Sequence, residues 1–245
     1  MAATTRSLDY GIDSPALVRN WYHRAGWSLA GGLAVWVINR QEYPTTAAEL
    51  LAVLAALALT FTAVGKYKVW SSREGKVRLR EQLLDQLALR GDERVLDVGC
   101  GRGLMAIGAA KRLKTGKVTA IDSWNPQDLS GSSADAAKEN AKSEGVSERV
   151  RFETGDARKL VYPANNFDVV ISFAALHRLA DDREREQAIR EMLRVLKAGG
   201  RLLIFDTAET GYYADRLRAS GAQEVTLSPW TFLWCLPSRS ISARK

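Results

Sequence analysis

Residues 95–104 read VLDVGCGRGL, a short apolar run carrying one acid, Asp97, that passes directly into glycines at every second position, Gly99, Gly101 and Gly103. Glycines following a first strand let the backbone approach a ligand closely, because a side chain there would stand in the way. A dinucleotide fingerprint, G-x-G-x-x-G, would place its third glycine at position 104, where this chain has leucine. The pattern is G-x-G-x-G, and the loop alone leaves open which nucleotide-like ligand it cradles.

Outward from this loop, short branched runs at 94–98, 117–122, 150–153, 167–173 and 201–206 alternate with amphipathic stretches. Nearly continuous apolar runs of this kind suit parallel strands buried on both faces. The alternation predicts an α/β fold with a doubly wound sheet and right-handed crossovers. A leading helix is expected over 71–89, opened by a serine cap, and a short helix over 211–220. Two closing strands are expected at EVTLS (224–228) and TFLWCLP (231–237), separated by Pro229.

The N-terminal third reads differently. Residues 25–38 carry no charge, and residues 47–65 carry only Glu49. A helix needs about 20 apolar residues to cross a hydrocarbon core, so the second run is long enough and the first is marginal. Aromatics (Trp21, Tyr22, Tyr43, Tyr67, Trp70) stand at the ends of the runs, where amphipathic rings favour the interface. Arg19 and Arg24 on one flank, and Lys66, Lys68, Arg73, Lys76, Arg78 and Arg80 on the other, place both ends of the hairpin in the cytoplasm by the positive-inside rule. Small residues four apart (Ser28 and Gly32, Ala30 and Ala34, Ala52 and Ala56) permit close helix approach. The reading is a membrane segment over 1–70 and a cytoplasmic α/β domain over 71–245; apolar helices packed on a soluble domain are the alternative.

With 245 residues, 46% hydrophobic and 26% charged, the chain has globular proportions. The net charge of +7 is explained by the hairpin flanks before nucleic acid need be invoked. Two cysteines, Cys100 and Cys235, imply no disulfide framework, and two distant histidines give no metal-ligand spacing, so no metal is expected.

The stretches VLDVGCGRG, TGDARKL (154–160), NNFDVVISFAALHRL (165–179) and MLRVLKAGGRLLIFD (192–206), with Asp122 ending the second strand, together resemble the class I S-adenosylmethionine-dependent methyltransferases from about residue 71 onward. The nearest general resemblance is to the ubiquinone/menaquinone-biosynthesis type. It implies a Rossmann-like seven-stranded sheet, six strands parallel and the last antiparallel, here preceded by two hydrophobic helices. It further implies S-adenosylmethionine as cofactor. Asp97 would help hold its ammonium group, and Gly99, Cys100, Gly101 and Gly103 would face its methionine part. Asp122 would bind the ribose hydroxyls, with Ser123 and Trp124 beside them, and Asp156 with Ala157 would meet the adenine edge. Ser172 lies in the fourth-strand segment that opens toward the transferred methyl.

Methyl transfer from a sulfonium is an in-line displacement that chiefly demands positioning and desolvation. His177 is the candidate catalytic base if the acceptor must lose a proton; otherwise it caps a turn or packs on the cofactor. Asp206, Tyr212 and Tyr213 are candidates to line the acceptor pocket. A small, lipophilic acceptor at the membrane fits the hairpin. The alternatives are an RNA or DNA methyltransferase, although the Asn/Asp-Pro-Pro-aromatic signature is replaced by SFAAL (172–176), and a tethered S-adenosylmethionine-binding protein without catalysis.

Overall fold

The computed structural model describes residues 9–125, 129–207, 209–234 and 236–245. Its centre is a seven-stranded sheet in the order β3-β2-β1-β4-β5-β7-β6. The strands are β1 (Arg94–Val98), β2 (Lys117–Asp122), β3 (Val150–Thr154), β4 (Phe167–Phe173), β5 (Leu196–Asp206), β6 (Gln223–Leu227) and β7 (Arg239–Arg244). The first five run parallel, and β7 is antiparallel to both β5 and β6. This is the expected doubly wound sheet with one reversed strand.

Both faces of the sheet are covered, which is why its strands are apolar without alternation. In β1, Val95, Leu96 and Val98 are all fully buried. One face packs on α3 (Lys76–Gln86) and α4 (Leu104–Arg112), with Leu79, Leu83, Leu84, Met105 and Ile107 in that core. The other packs on α6 (Asp182–Val195) and α7 (Thr210–Ala219), through Ile189, Met192, Tyr213 and Leu217. Helix α5 (Ala134–Ser143) is capped by the Ser133 hydroxyl, which accepts from Ala136 N, and α6 by the Asp181 carboxylate, which accepts from Glu184 N.

The seventh strand departs from expectation. The described residues of TFLWCLP form no strand, apart from an isolated bridge of Thr231 with Ser238, and β7 begins at Arg239. Prolines at 229 and 237 bound the apolar run and donate no ladder hydrogen bond. The stretch RSISAR has the alternation a near-edge strand needs, sending Ile241 and Ala243 into the core and leaving Ser242 exposed.

The N-terminal hairpin consists of α1 (Pro15–Asn39) and α2 (Pro44–Trp70). The helices pack closely at glycines: a Cβ on Gly32 would lie 3.1 Å from the Leu54 Cβ, and one on Gly65 would lie 3.0 Å from the Tyr22 ring. Away from that seam, Trp27, Val37, Ile38, Val53 and Leu59 are exposed. Ser71 does not cap a new helix. Residues Ser71–Gly75 form one π-helical turn that joins α2 to α3, so Pro44–Gln86 is a single helical path of 43 residues, long and apolar enough to cross a membrane.

The basic cluster after α2 is also not one exposed patch. Lys76 and Arg80 are buried. The Lys76 ammonium donates to the carbonyls of Tyr10 (2.8 Å) and Gly11 (2.7 Å), and Arg80 donates to the Tyr10 hydroxyl (3.1 Å) and meets Glu144 at 3.7 Å. Their charge stabilises the segment that precedes α1 instead of meeting solvent.

Candidate active site

A cavity of about 470 Å³ lies beyond the carboxyl ends of β1, β2, β3 and β4. This is the point at which the strand order reverses, where open α/β sheets place their ligands. Of the residues singled out in the sequence, Gly99, Cys100, Gly101, Asp122, Ser123, Asp156 and Ala157 line it.

The glycine loop takes its shape from φ values that disfavour side chains: +79° at Gly99, +50° at Gly101 and +84° at Gly103. A Cβ on Gly99 would stand 2.2 Å from the Ala175 Cβ, and one on Gly101 would stand 2.9 Å from Leu129. Gly103 starts α4 and packs on Phe152, so its role is helix placement. The loop is tied down by Asp122, which accepts from Gly101 N through one oxygen (2.8 Å) and from Trp124 N through the other (2.7 Å). The Cys100 thiol is buried, and burial pushes it well above its ordinary value, which leaves it an inert protonated group.

Asp97 stands behind the loop, fully buried. Its Oδ2 accepts from Ala106 N at 2.9 Å, joining β1 to α4, while Oδ1 is buried with no partner. Burial raises its carboxyl to about 7; the Ala106 amide opposes the shift and the charge of Asp122 adds to it. A buried carboxylate oxygen without a donor is costly unless a ligand satisfies it.

At the β3 end of the cavity, Asp156 is gripped by Arg158, whose Nε lies 2.9 and 3.0 Å from its two oxygens and whose Nη2 is 2.8 Å from Oδ2. The guanidinium holds the carboxyl below its ordinary value, and Arg158 is paired with Glu184 as well. Trp124 does not line the cavity: its indole N–H donates to Thr154 Oγ1 at 3.0 Å. Ser172 is buried within β4, with an unpaired hydroxyl.

His177 sits in a 3-10 turn after β4, against Asp206 at the end of β5. Nδ1 is 2.6 Å from Asp206 Oδ1, and the His177 backbone amide donates to Oδ2 at 3.1 Å. Asp206 is fully buried, so it fixes the imidazole ring and makes Nδ1 the protonated nitrogen, leaving Nε2 as the basic one. Tyr213 on α7 is buried in the core and Tyr212 donates to the Asp182 carbonyl; neither tyrosine lines the cavity, and His177 and Asp206 stand beside it, with the His177 neighbours Leu176 and Arg178 on its wall.

Residues without a local sequence signal complete the walls. Tyr10, Asp13 and Lys76 line the cavity opposite the sheet. Residues 9–13 cross it as a strap: Ile12 N donates to Ser130 Oγ (2.7 Å), Asn140 donates to the Asp9 carbonyl (3.0 Å), and Trp234 Nε1 donates to Asp13 Oδ2 (3.0 Å). Burial lowers the Lys76 ammonium from its ordinary value, with Asp13 opposing. Arg102, Arg158 and Glu184 also line the cavity.

Residues 95–200 match the family described as methyltransferase domain. The 27-O-demethylrifamycin SV methyltransferase of Amycolatopsis mediterranei is 37% identical over 133 residues, 54% of this chain and 45% of that protein. The ubiquinone/menaquinone biosynthesis C-methyltransferase of Pseudomonas fluorescens is 36% identical over 135 residues, 54% of this chain and 49% of that one. The chain thus spans about half the length of these curated relatives. Among solved structures, the [4+2]-cyclase SpnF shares the fold with a TM-score of 0.55 at 24% identity, covering 69% of this chain and 81% of that one. The family match runs from β1 into β5 and includes the glycine loop, Asp122 and the Gly199–Gly200 pair, and the cavity lies where those strands end: residues 95–200 are a methyltransferase domain of the class I S-adenosylmethionine-dependent type.

Proposed function

We propose that the protein moves a methyl group from S-adenosylmethionine to a small lipophilic acceptor at a membrane, with residues 1–70 as the anchor and residues 71–245 as the methyltransferase domain on the cytoplasmic side. The observation that carries this reading is the unbroken helical path Pro44–Gln86, whose first part exposes Leu50, Val53, Leu57 and Leu59 and whose last part brings Lys76 to the cavity wall. A membrane-length helix and the cavity are thereby one connected piece. The relative named for ubiquinone and menaquinone biosynthesis supports a lipophilic acceptor.

The residues fit the cofactor. Behind the loop Asp97 Oδ1 is a buried acceptor without a donor, the glycine loop has no Cβ to block an approach, and the Asp122 carboxylate lines the cavity beside the loop, where it can meet ribose hydroxyls. Bound there, S-adenosylmethionine supplies a methyl on a positively charged sulfur. His177 accepts the acceptor's proton through Nε2, and Asp206 stabilises the imidazolium that results. Phe173 and Leu176 on the cavity wall keep water from the reacting atoms.

Two measurements test the reading. The full chain should stay in the membrane pellet through an alkaline carbonate wash, and in lipid discs it should pass a labelled methyl from S-adenosylmethionine to a component of a lipid extract. Label appearing in RNA instead, or a protein released by carbonate, would overturn it.

The raised carboxyl of Asp97 gives a pH prediction. A cation beside it favours the ionised form, so below about pH 7 binding must first release the proton. Affinity should therefore fall about tenfold per pH unit below that value and level off above it. Calorimetry across pH checks this, and Asp97→Asn should bind more weakly with a flat profile.

A further inference from the structure

The apolar run expected as a strand has a different form and two faces. Outward, Trp230 (51%), Phe232 (64%) and Leu236 (47%) are exposed. Large apolar groups gathered in this way mark a contact surface, not ordinary protein exterior. Inward, Trp234 is buried against Phe173 (5.9 Å between ring centres) and Phe205 (6.2 Å), 6.3 Å from the His177 ring, with its N–H on Asp13.

The loop is fastened to the end of the membrane hairpin. The Tyr67 hydroxyl donates to the Phe232 carbonyl, and Ser71 Oγ donates to the Leu233 carbonyl at 3.3 Å. Gly75 makes the fit possible, because a Cβ there would lie 2.0 Å from the Leu233 oxygen. Tyr67 stacks on Trp70 at 6.0 Å, the Arg78 guanidinium lies 5.9 Å from the Trp70 ring, and the Arg239 guanidinium lies 4.5 Å from the Trp230 ring. Aromatic rings gathered at one end of an apolar helix, two of them (Trp70 and Trp230) beside an arginine, have the composition of a membrane interface.

We propose that residues 230–234 are a second membrane contact: Trp230 and Phe232 seat in the interfacial layer of the bilayer beside Tyr67 and Trp70, holding at the lipid the loop whose Trp234 packs behind the cavity-lining Phe173. The bilayer is the occupant because the loop is continuous with the last turns of α2 and is rimmed by Arg78 and Arg239, which suit anionic headgroups. The inference rests on the membrane reading of α1 and α2, and it adds that the acceptor reaches the cavity at interface depth.

The test uses the full chain in a Cys235→Ser background, so that buried Cys100 is the remaining native thiol, reconstituted into vesicles of phosphatidylcholine and phosphatidylglycerol. A polarity-sensitive fluorophore is attached at Phe232→Cys, at Leu59→Cys on the exposed side of α2, and at Lys138→Cys on exposed α5. The Phe232 probe should be blue-shifted and quenched by lipids with nitroxides near the headgroup, the Leu59 probe quenched by nitroxides deep in the chains, and the Lys138 probe unaffected. A Phe232 probe that behaves like Lys138 while Leu59 is quenched overturns the loop contact and leaves the anchor intact. Three unquenched probes overturn both readings. A blue shift at Phe232 that lipid nitroxides do not quench assigns the surface to a protein partner and overturns the proposal.

Discussion

Replacing Asp122 by alanine is expected to cost about 3 kcal/mol of S-adenosylmethionine affinity, roughly a hundredfold in Kd. Two losses combine. The ribose hydroxyls lose the carboxylate that would receive both, and the glycine loop loses the charge-assisted hydrogen bonds that Asp122 accepts from Gly101 N and Trp124 N. Each such bond to a charged group contributes about 1.5–3 kcal/mol, so the loop, whose positive φ angles are sustained by its surroundings, is no longer held in the shape that meets the ligand. Asp122→Asn separates the two contributions. Its single carbonyl oxygen still accepts one amide while its NH2 opposes the other, and its affinity should fall between wild type and Asp122→Ala. Calorimetry on the full chain in detergent or lipid discs gives the answer, and an Asp122→Ala protein that binds as tightly as wild type would remove the ribose role.

Removing the His177 imidazole is expected to lower the rate of methyl transfer by about 10²–10⁴-fold, the usual contribution of a positioned base, with S-adenosylmethionine affinity unchanged. Asp206→Asn should act through the histidine. Asp206 accepts from His177 N, His177 Nδ1 and Thr207 N, and an amide cannot satisfy all three with one oxygen. The imidazole then loses its fixed tautomer and its counter-charge. The readout that separates a base from a packing group is the split between kcat and cofactor affinity. His177→Ala retaining full kcat would assign the pair a structural role only, and both variants are to be checked for folding because Asp206 is fully buried.

Much of this arrangement was legible in the sequence, for a local reason. Asp97 lies in β1, the glycine loop follows that strand directly, Asp122 ends β2 and Gly199 and Gly200 lie in β5, so the strands fix where they lie, and the alternation of apolar runs fixes the strands. What escaped depends on residues far apart in the chain. Tyr10 and Asp13 reach the cavity only because Lys76, more than sixty positions later, holds the carbonyls of Tyr10 and Gly11. In the sequence that lysine is one more positive charge after an apolar helix. The Asp156 carboxylate reads as an adenine contact, and only the folded chain brings Glu184 onto the Arg158 guanidinium that holds it. The closing strand was misplaced because TFLWCLP is more apolar than RSISAR, and apolarity there serves a loop that turns Trp234 in and Phe232 out.

The strap over residues 9–13 bears on how the protein can be handled in the laboratory. A shortened chain starting at Ser71 would be the obvious choice for soluble expression and crystallisation, since it discards every exposed leucine of the hairpin. It would also discard Tyr10 and Asp13, strip the Lys76 ammonium of its carbonyl partners, and leave Trp234 without the carboxylate that orients it. Such a fragment would keep the sheet and lose one side of its cavity, so turnover measured on it would describe a different pocket.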